Sequence, residues 1–331
     1  MGKGSAKLRS LQRKLHPDTK GWTMKQTSLR GIANKAASDK AHRFRNLFGM
    51  LTVGYLLWCW QFVNKRAASG VDRQNARSYQ ENLQENIEAL VAAVKGGRYR
   101  AKLVLRRYIP KLNGKLRPLG IPAIADKLLQ IGVSKLLEAI YEQDFLDGSF
   151  GFRPKRSAHD ALKALNRAVS QGRANVIFEA DVKSFFDTVH RRTMLEMLEE
   201  RIADKSFMRL VGKCLHVGVF EGQVFTRPEE GTVQGSIISP MLGNIYLHNV
   251  LDKWFEEQVK PRLRGEVTLL RYCDDFIICF ERMDDAKRVE RAADTILTLK
   301  LKSYSKTLLN QYLSEPQPKH ADGTPSTEID S

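Results

Sequence analysis

Two acidic stretches about ninety residues apart hold the side chains best suited to chemistry: Glu179-Ala180-Asp181-Val182-Lys183-Ser184-Phe185-Phe186-Asp187 and Arg271-Tyr272-Cys273-Asp274-Asp275-Phe276-Ile277-Ile278-Cys279-Phe280. In the second, adjacent aspartates sit between Leu269-Leu270 and Phe276-Ile277-Ile278, where burying an uncompensated carboxylate is costly. A bound cation resolves that cost. Three hard oxygen ligands, Asp181, Asp274 and Asp275, suit Mg²⁺, which commonly shares its site with substrate phosphates. Two such ions roughly 3.5–4 Å apart stabilise both the attacking and the leaving oxygen of an in-line phosphoryl displacement. The chemistry indicated is nucleotidyl transfer. A solvated hairpin turn is the competing reading of an Asp-Asp pair taken alone.

Elements must bring these carboxylates together. β-Branched and aromatic residues on both sides of Cys273-Asp274-Asp275 predict a β-hairpin whose turn carries the aspartates, and Val176 to Asp181 predicts a strand ending in an acid. If the two are neighbours in one sheet, all three carboxylates meet at one end of it.

Other segments carry a family likeness. Tyr272-Cys273-Asp274-Asp275 resembles the Tyr-x-Asp-Asp box of reverse transcriptases, with Cys where Ala or Met is more usual. Gly231 to His248, Tyr108-Ile109-Pro110-Lys111 through Arg117-Pro118-Leu119-Gly120-Ile121-Pro122, and Ser149-Phe150-Gly151-Phe152-Arg153-Pro154 through Leu162 resemble boxes of bacterial group II intron proteins, in the family's order. The resemblance implies an α+β fold of right-hand polymerase fingers and palm, with a mainly antiparallel palm sheet and packed helices. It implies an RNA-directed DNA polymerase using two Mg²⁺ ions, an RNA template with a DNA primer, deoxynucleoside triphosphates, and group II intron RNA as partner in splicing and mobility. By the same resemblance Lys111 and Arg117 hold the triphosphate, Phe186 lies under the sugar and disfavours a 2′-hydroxyl, and Gln234 and Gly235 lie beside the nascent pair. From the residues themselves, Phe150 and Phe152 with Arg153 are placed to stack and pair along a template strand, the competing reading being that both aromatics are core. Ser236 stands where the family often has Gly.

Composition agrees with a polyanionic partner. The 331-residue chain has a net charge of +17, and residues 1–50 hold 12 Lys+Arg against 2 Asp+Glu, +10 of that total. Such a face is compatible with nucleic acid. Four scattered cysteines, Cys59, Cys214, Cys273 and Cys279, suggest neither a zinc knuckle nor a disulfide framework and fit a reducing cytoplasm. The apolar run Phe48 to Val63 spans 16 residues, short of the about 20 that a membrane helix needs; it is expected to be a core helix, and no membrane association is expected.

The organisation expected is a basic helical extension over 1–67, fingers over 68–170, a palm over 171–307 and a polar, disordered tail over 308–331. Asn113-Gly114 predicts a hairpin turn in the fingers, Ser157-x-x-Asp160 a helix start, and Ala161, Leu162, Leu165 and Val169 that helix's inward face. The family's Gly-Leu-x-Leu strand is matched poorly by Leu299 to Thr307, and no thumb or maturase domain is visible. The expectation is therefore a C-terminally truncated copy or one half of a split protein. Two alternatives accompany it: a catalytically impaired RNA-binding maturase fragment, and a retron or antiviral-defence reverse transcriptase.

Overall fold

The computed structural model describes residues 28–110, 114, 116–170, 172–182, 185–221, 224–226 and 235–290. Two compact units each combine separate chain segments: Met1–Leu146 with Leu195–Ile245, and Asp147–Met194 with Tyr246–Ser331. The first 27 residues of the expected extension and the expected tail over 308–331 lie outside the described residues.

In the first unit the helix Ile124–Tyr141 is buried on almost every side, including Asp126, Lys127 and Gln130 along with Leu128, Leu129, Val133, Leu136 and Ile140. Gly132 lets the helix Val53–Cys59 approach: a β-carbon there would lie 2.8 Å from Leu56 Cδ2, and Tyr55 donates its hydroxyl to the Gly132 carbonyl at 2.8 Å. The apolar run around Phe48 is not one helix. It breaks into a 3₁₀ turn Phe48–Met50, the helix Val53–Cys59 and a 3₁₀ turn Trp60–Phe62, since the Thr52 hydroxyl accepts from the Tyr55 amide and starts a new helix. Trp58 and Phe62 stay exposed. No helix among the described residues is long and apolar enough to cross a membrane.

The hairpin predicted around Asn113-Gly114 is present. Strand β1 (Val104–Pro110) pairs antiparallel with β2 (Leu116–Ile121), from Leu105 opposite Ile121 to Pro110 opposite Leu116. β1 also pairs in parallel with β4 (Val219–Glu221), which pairs antiparallel with β5 (Val224–Thr226).

Arg201 fastens the start of the described chain to this unit. Its guanidinium donates to the carbonyls of Ala36, Asp39, Lys40 and His42 and pairs with Asp144 at 3.0 Å. Beside it Phe44 forms a parallel bridge with Ile202. A buried guanidinium with this many acceptors leaves many carbonyls unmatched when removed.

The second unit holds a sheet in the order β3 (Val176–Asp181), β7 (Asp275–Phe280), β6 (Val267–Tyr272), antiparallel throughout. The helix Ala158–Ser170 lies beside β6. Its start is as expected: Ser157 and Asp160 exchange hydrogen bonds, the Ser157 hydroxyl to the Asp160 carboxylate at 2.6 Å and the Asp160 amide to Ser157 Oγ at 3.3 Å. Its expected inward face is corrected. Leu162 and Val169 are exposed, and none of the helix is fully buried; Ala161, Ala164, Leu165 and Ala168 form the half-buried side, as the small alanine side allows the closer approach.

Arg201→Met is expected to destabilise the protein by about 3 kcal/mol, as removal of one member of a buried pair does; equilibrium denaturation in urea measures it.

Candidate active site

The predicted hairpin exists, and its turn is two residues long, Cys273 and Asp274. Cys273 has φ +63°, a left-handed conformation that costs an L-residue roughly 1–2 kcal/mol and that a two-residue hairpin turn requires. Antiparallel register places Asp181 directly opposite Asp275, and the Val182 amide reaches the Asp274 carbonyl at 3.4 Å. The three acidic positions therefore share one end of the sheet. Asp274 is half-buried and Asp275 exposed, while Leu270, Phe276, Ile278 and Phe280 fill the core behind them. The side chain of Asp181 lies outside the described ones.

A strap passes across the edge strand β6. Ser149 bridges in parallel to Arg271, with Arg271 N–H donating to the Gly148 carbonyl at 2.8 Å and Phe150 N–H to the Arg271 carbonyl at 2.9 Å. Two glycines permit this contact. A β-carbon on Gly148 would lie 2.3 Å from the Leu269 carbonyl oxygen, and one on Gly151 would lie 2.4 Å from the Cys273 nitrogen and 2.5 Å from its sulfur. The strap thus rests on the aspartate turn itself. Beyond it Phe152, at φ +55°, is exposed, whereas Phe150 is buried with Arg156 over its ring. Arg153 is also buried, and its Nη1 donates to the Ser149 carbonyl at 2.8 Å.

Sequence reasoning assigned no role to the group that ties these parts together. Arg271 is 1 % exposed. It meets Asp252 through two hydrogen bonds, Nε to Oδ1 at 2.7 Å and Nη2 to Oδ2 at 2.6 Å, and donates to Ser149 Oγ and to the Cys273 carbonyl, each at 2.8 Å. Asp252 ends a π-helical segment, His248–Asp252, a local widening often found at functional sites. Burial would raise the Asp252 carboxyl, yet the Arg271 charge and hydrogen bonds hold it below the usual carboxylate range. The signal was an arginine inside Leu269-Leu270-Arg271 and a lone acid among Val250, Leu251, Trp254 and Phe255.

Adjacent phenylalanines after β3 take different settings. Phe185 is buried against Tyr246, ring centroids 6.1 Å apart. Phe186 is half-buried, edge-on to Phe185 at 5.1 Å.

In the other unit, Arg117 is exposed on β2 opposite Ile109. Gly235, at φ +97°, lies so close to the same strand that a β-carbon would be 2.5 Å from the Gly120 carbonyl oxygen. Gln130 fixes the next two residues, its Oε1 accepting from Ser236 Oγ at 2.8 Å and from the Ile237 amide at 2.9 Å. Lys111 and Gln234 lie outside the described residues.

The donors that the hairpin offers are hard oxygens. Burial, then the Asp274 carboxylate, pushes the Cys273 thiol up to about 12. Carboxylates on a paired strand end and in an adjacent turn fit a divalent ion of the Mg²⁺ class.

Gly151→Ala is expected to displace the Cys273-Asp274 turn and weaken divalent-ion binding at the hairpin about tenfold or more while most of the fold survives, the order of loss when a group that orients metal ligands is disturbed; Mn²⁺ titration alongside circular dichroism checks both parts.

Known proteins share this region. The family model described as "Reverse transcriptase (RNA-dependent DNA polymerase)" matches residues 109–311. Protein YkfC of Escherichia coli (strain K12) is 33% identical over 75% of this chain and 74% of its own length. Group II intron-encoded protein LtrA of Lactococcus lactis subsp. cremoris is 40% identical over 62% of this chain and 33% of its own length, so this chain matches about a third of that relative. Nuclear intron maturase 4, mitochondrial, of Arabidopsis thaliana is 27% identical over 45% of this chain and 18% of its own. With an α+β fold in which a hairpin carries paired aspartates opposite a third, the chain belongs to the reverse transcriptase family of RNA-directed DNA polymerases.

Proposed function

We propose that this chain performs RNA-templated DNA synthesis in the setting of a group II intron, adding deoxynucleotides to a primer 3′-hydroxyl. The observation that carries the reading is the register of Asp181 opposite Asp275, with Asp274 in the connecting turn. Asp181, Asp274 and Asp275 would hold two Mg²⁺ ions. When bound, these supply stabilisation of the attacking and leaving oxygens.

The remaining work falls to the chain's own groups. Arg117, exposed on its strand, and Lys111 bind the triphosphate as fork and point charge. Gln234 and Gly235 border the nascent pair, on a loop that Gln130 anchors through Ser236 and Ile237. Phe186 meets the sugar from a ring that Phe185 supports, and its bulk disfavours a 2′-hydroxyl. Phe152 stacks on template bases, and the buried Arg153 holds the strap by the Ser149 carbonyl.

Intron RNA binds the basic residues that precede the fingers, Arg30, Lys40, Arg43 and Arg45 among them, in keeping with the +10 excess over residues 1–50. That excess also favours a second reading, a maturase-type RNA-binding protein without turnover. The cytoplasm suits both readings, as Cys59, Cys214, Cys273 and Cys279 are free thiols.

Purified protein is expected to extend a DNA primer on an RNA template, and Asp274→Asn to lower that rate by about 10³-fold, the order of loss when one electrostatic stabiliser of a transition state is removed. Equal rates would sink the metal assignment. Salt-sensitive binding to structured RNA with no extension by either protein would favour the second reading.

A further inference from the structure

We propose that Arg271 and Asp252 are a positioning pair for the aspartate turn: the guanidinium, oriented by Asp252 and Ser149, fixes the Cys273-Asp274 peptide and so presents Asp274 and Asp275 to the divalent ions. The inference rests on reading those aspartates as metal ligands.

The geometry is specific. Arg271 lies two residues before Cys273 along β6 and folds back so that Nη1 donates to the Cys273 carbonyl at 2.8 Å. Cys273 is the residue with φ +63°, so the bonded peptide is the one whose orientation decides how the hairpin closes. A trans peptide directs its C=O and N–H oppositely. Holding the Cys273 oxygen towards the guanidinium therefore turns the Asp274 amide away from it and sets where the Asp274 side chain begins.

The guanidinium is itself constrained from two other elements. Asp252, 4 % exposed at its side chain, grips Nε and Nη2 in a planar two-point contact, and Ser149 Oγ on the strap accepts from Nη2. A planar fork transmits orientation where a lysine ammonium would transmit only charge. Helix, strap and hairpin thus converge on one rigid group that also donates to the turn. Partners that orient metal-binding groups in this way tune ion affinity without touching the ion.

A purely structural pair and a positioning pair predict different behaviour. Replacing a buried ion pair by apolar residues of similar size often preserves stability, so the double variant Arg271→Met/Asp252→Leu separates packing from orientation. It is expected to melt near the parent temperature. Its half-saturating Mg²⁺ in primer extension, and its Kd for Mn²⁺ measured by loss of the free-ion paramagnetic resonance signal, are both expected to rise about tenfold or more.

Asp274→Asn, measured in parallel, is expected to lose Mn²⁺ binding. A folded double variant whose Mg²⁺ and Mn²⁺ affinities stay within about twofold of the parent, while Asp274→Asn loses both, would overturn the positioning role. Retention of Mn²⁺ binding by Asp274→Asn would instead remove the metal-site reading, and the proposal with it. Should the double variant fail to fold, Arg271→Lys decides: it keeps the charge and loses the fork, so a raised Mg²⁺ requirement supports the pair and an unchanged one rejects it.

Discussion

A guanidinium almost without solvent access, that of Arg271, is the constraint on which the aspartate end of the sheet depends. Taking two charges out of water costs several kcal/mol per ion, which mutual attraction repays only with good geometry and further hydrogen bonds. Both conditions are met, since Asp252 binds the fork at two points and Ser149 and the Cys273 carbonyl accept from it as well. Net stability is nevertheless a weak reason for such a pair, because apolar replacement is often neutral or better. What an apolar side chain cannot do is hold a peptide oxygen in a turn whose first residue is left-handed.

Close approach is the second constraint and works through glycine. Gly151 and Gly148 let the strap lie against Cys273 and Leu269, so the edge of β6 is covered by chain and carries the exposed Phe152 on its far side. Gly235 does the same for a different pair of segments, where residues 235–237 meet β2 and are held by Gln130. In each case a loop is fixed by backbone contact with a strand, and on the strap the exposed Phe152 follows the fixed contact. The rigid elements position, and the loops present.

Local chemistry was well legible in the sequence. The hairpins around Asn113-Gly114 and Cys273-Asp274, the strand ending at Asp181 and the Ser157 helix start all rest on short-range signals: turn residues, β-branched runs and a capping pair. Register was not directly readable, but it emerges once both strands end in acids that must share one face. Three things were hidden. The break at Thr52 was masked by an unbroken apolar run, where a single hydroxyl cap outweighed hydrophobicity. The outward turn of Leu162 and Val169 depended on which face of an amphipathic helix meets the sheet, and the small alanine face won. The Asp252–Arg271 pair joins residues 19 positions apart through a π segment, and nothing in helical periodicity announces a π segment.

Backbone register thus brings three aspartate positions to one end of the sheet, and one buried ion pair holds the turn beside them. The central claim is that Asp181, Asp274 and Asp275 together hold the divalent ions of nucleotidyl transfer. The most direct test is anomalous diffraction at the manganese edge from crystals of the protein with an RNA template, a DNA primer and a non-hydrolysable deoxynucleotide analogue. Manganese density coordinated by oxygens of all three aspartates is the predicted result. Manganese confined to other residues, with these three carboxylates uncoordinated, would contradict it.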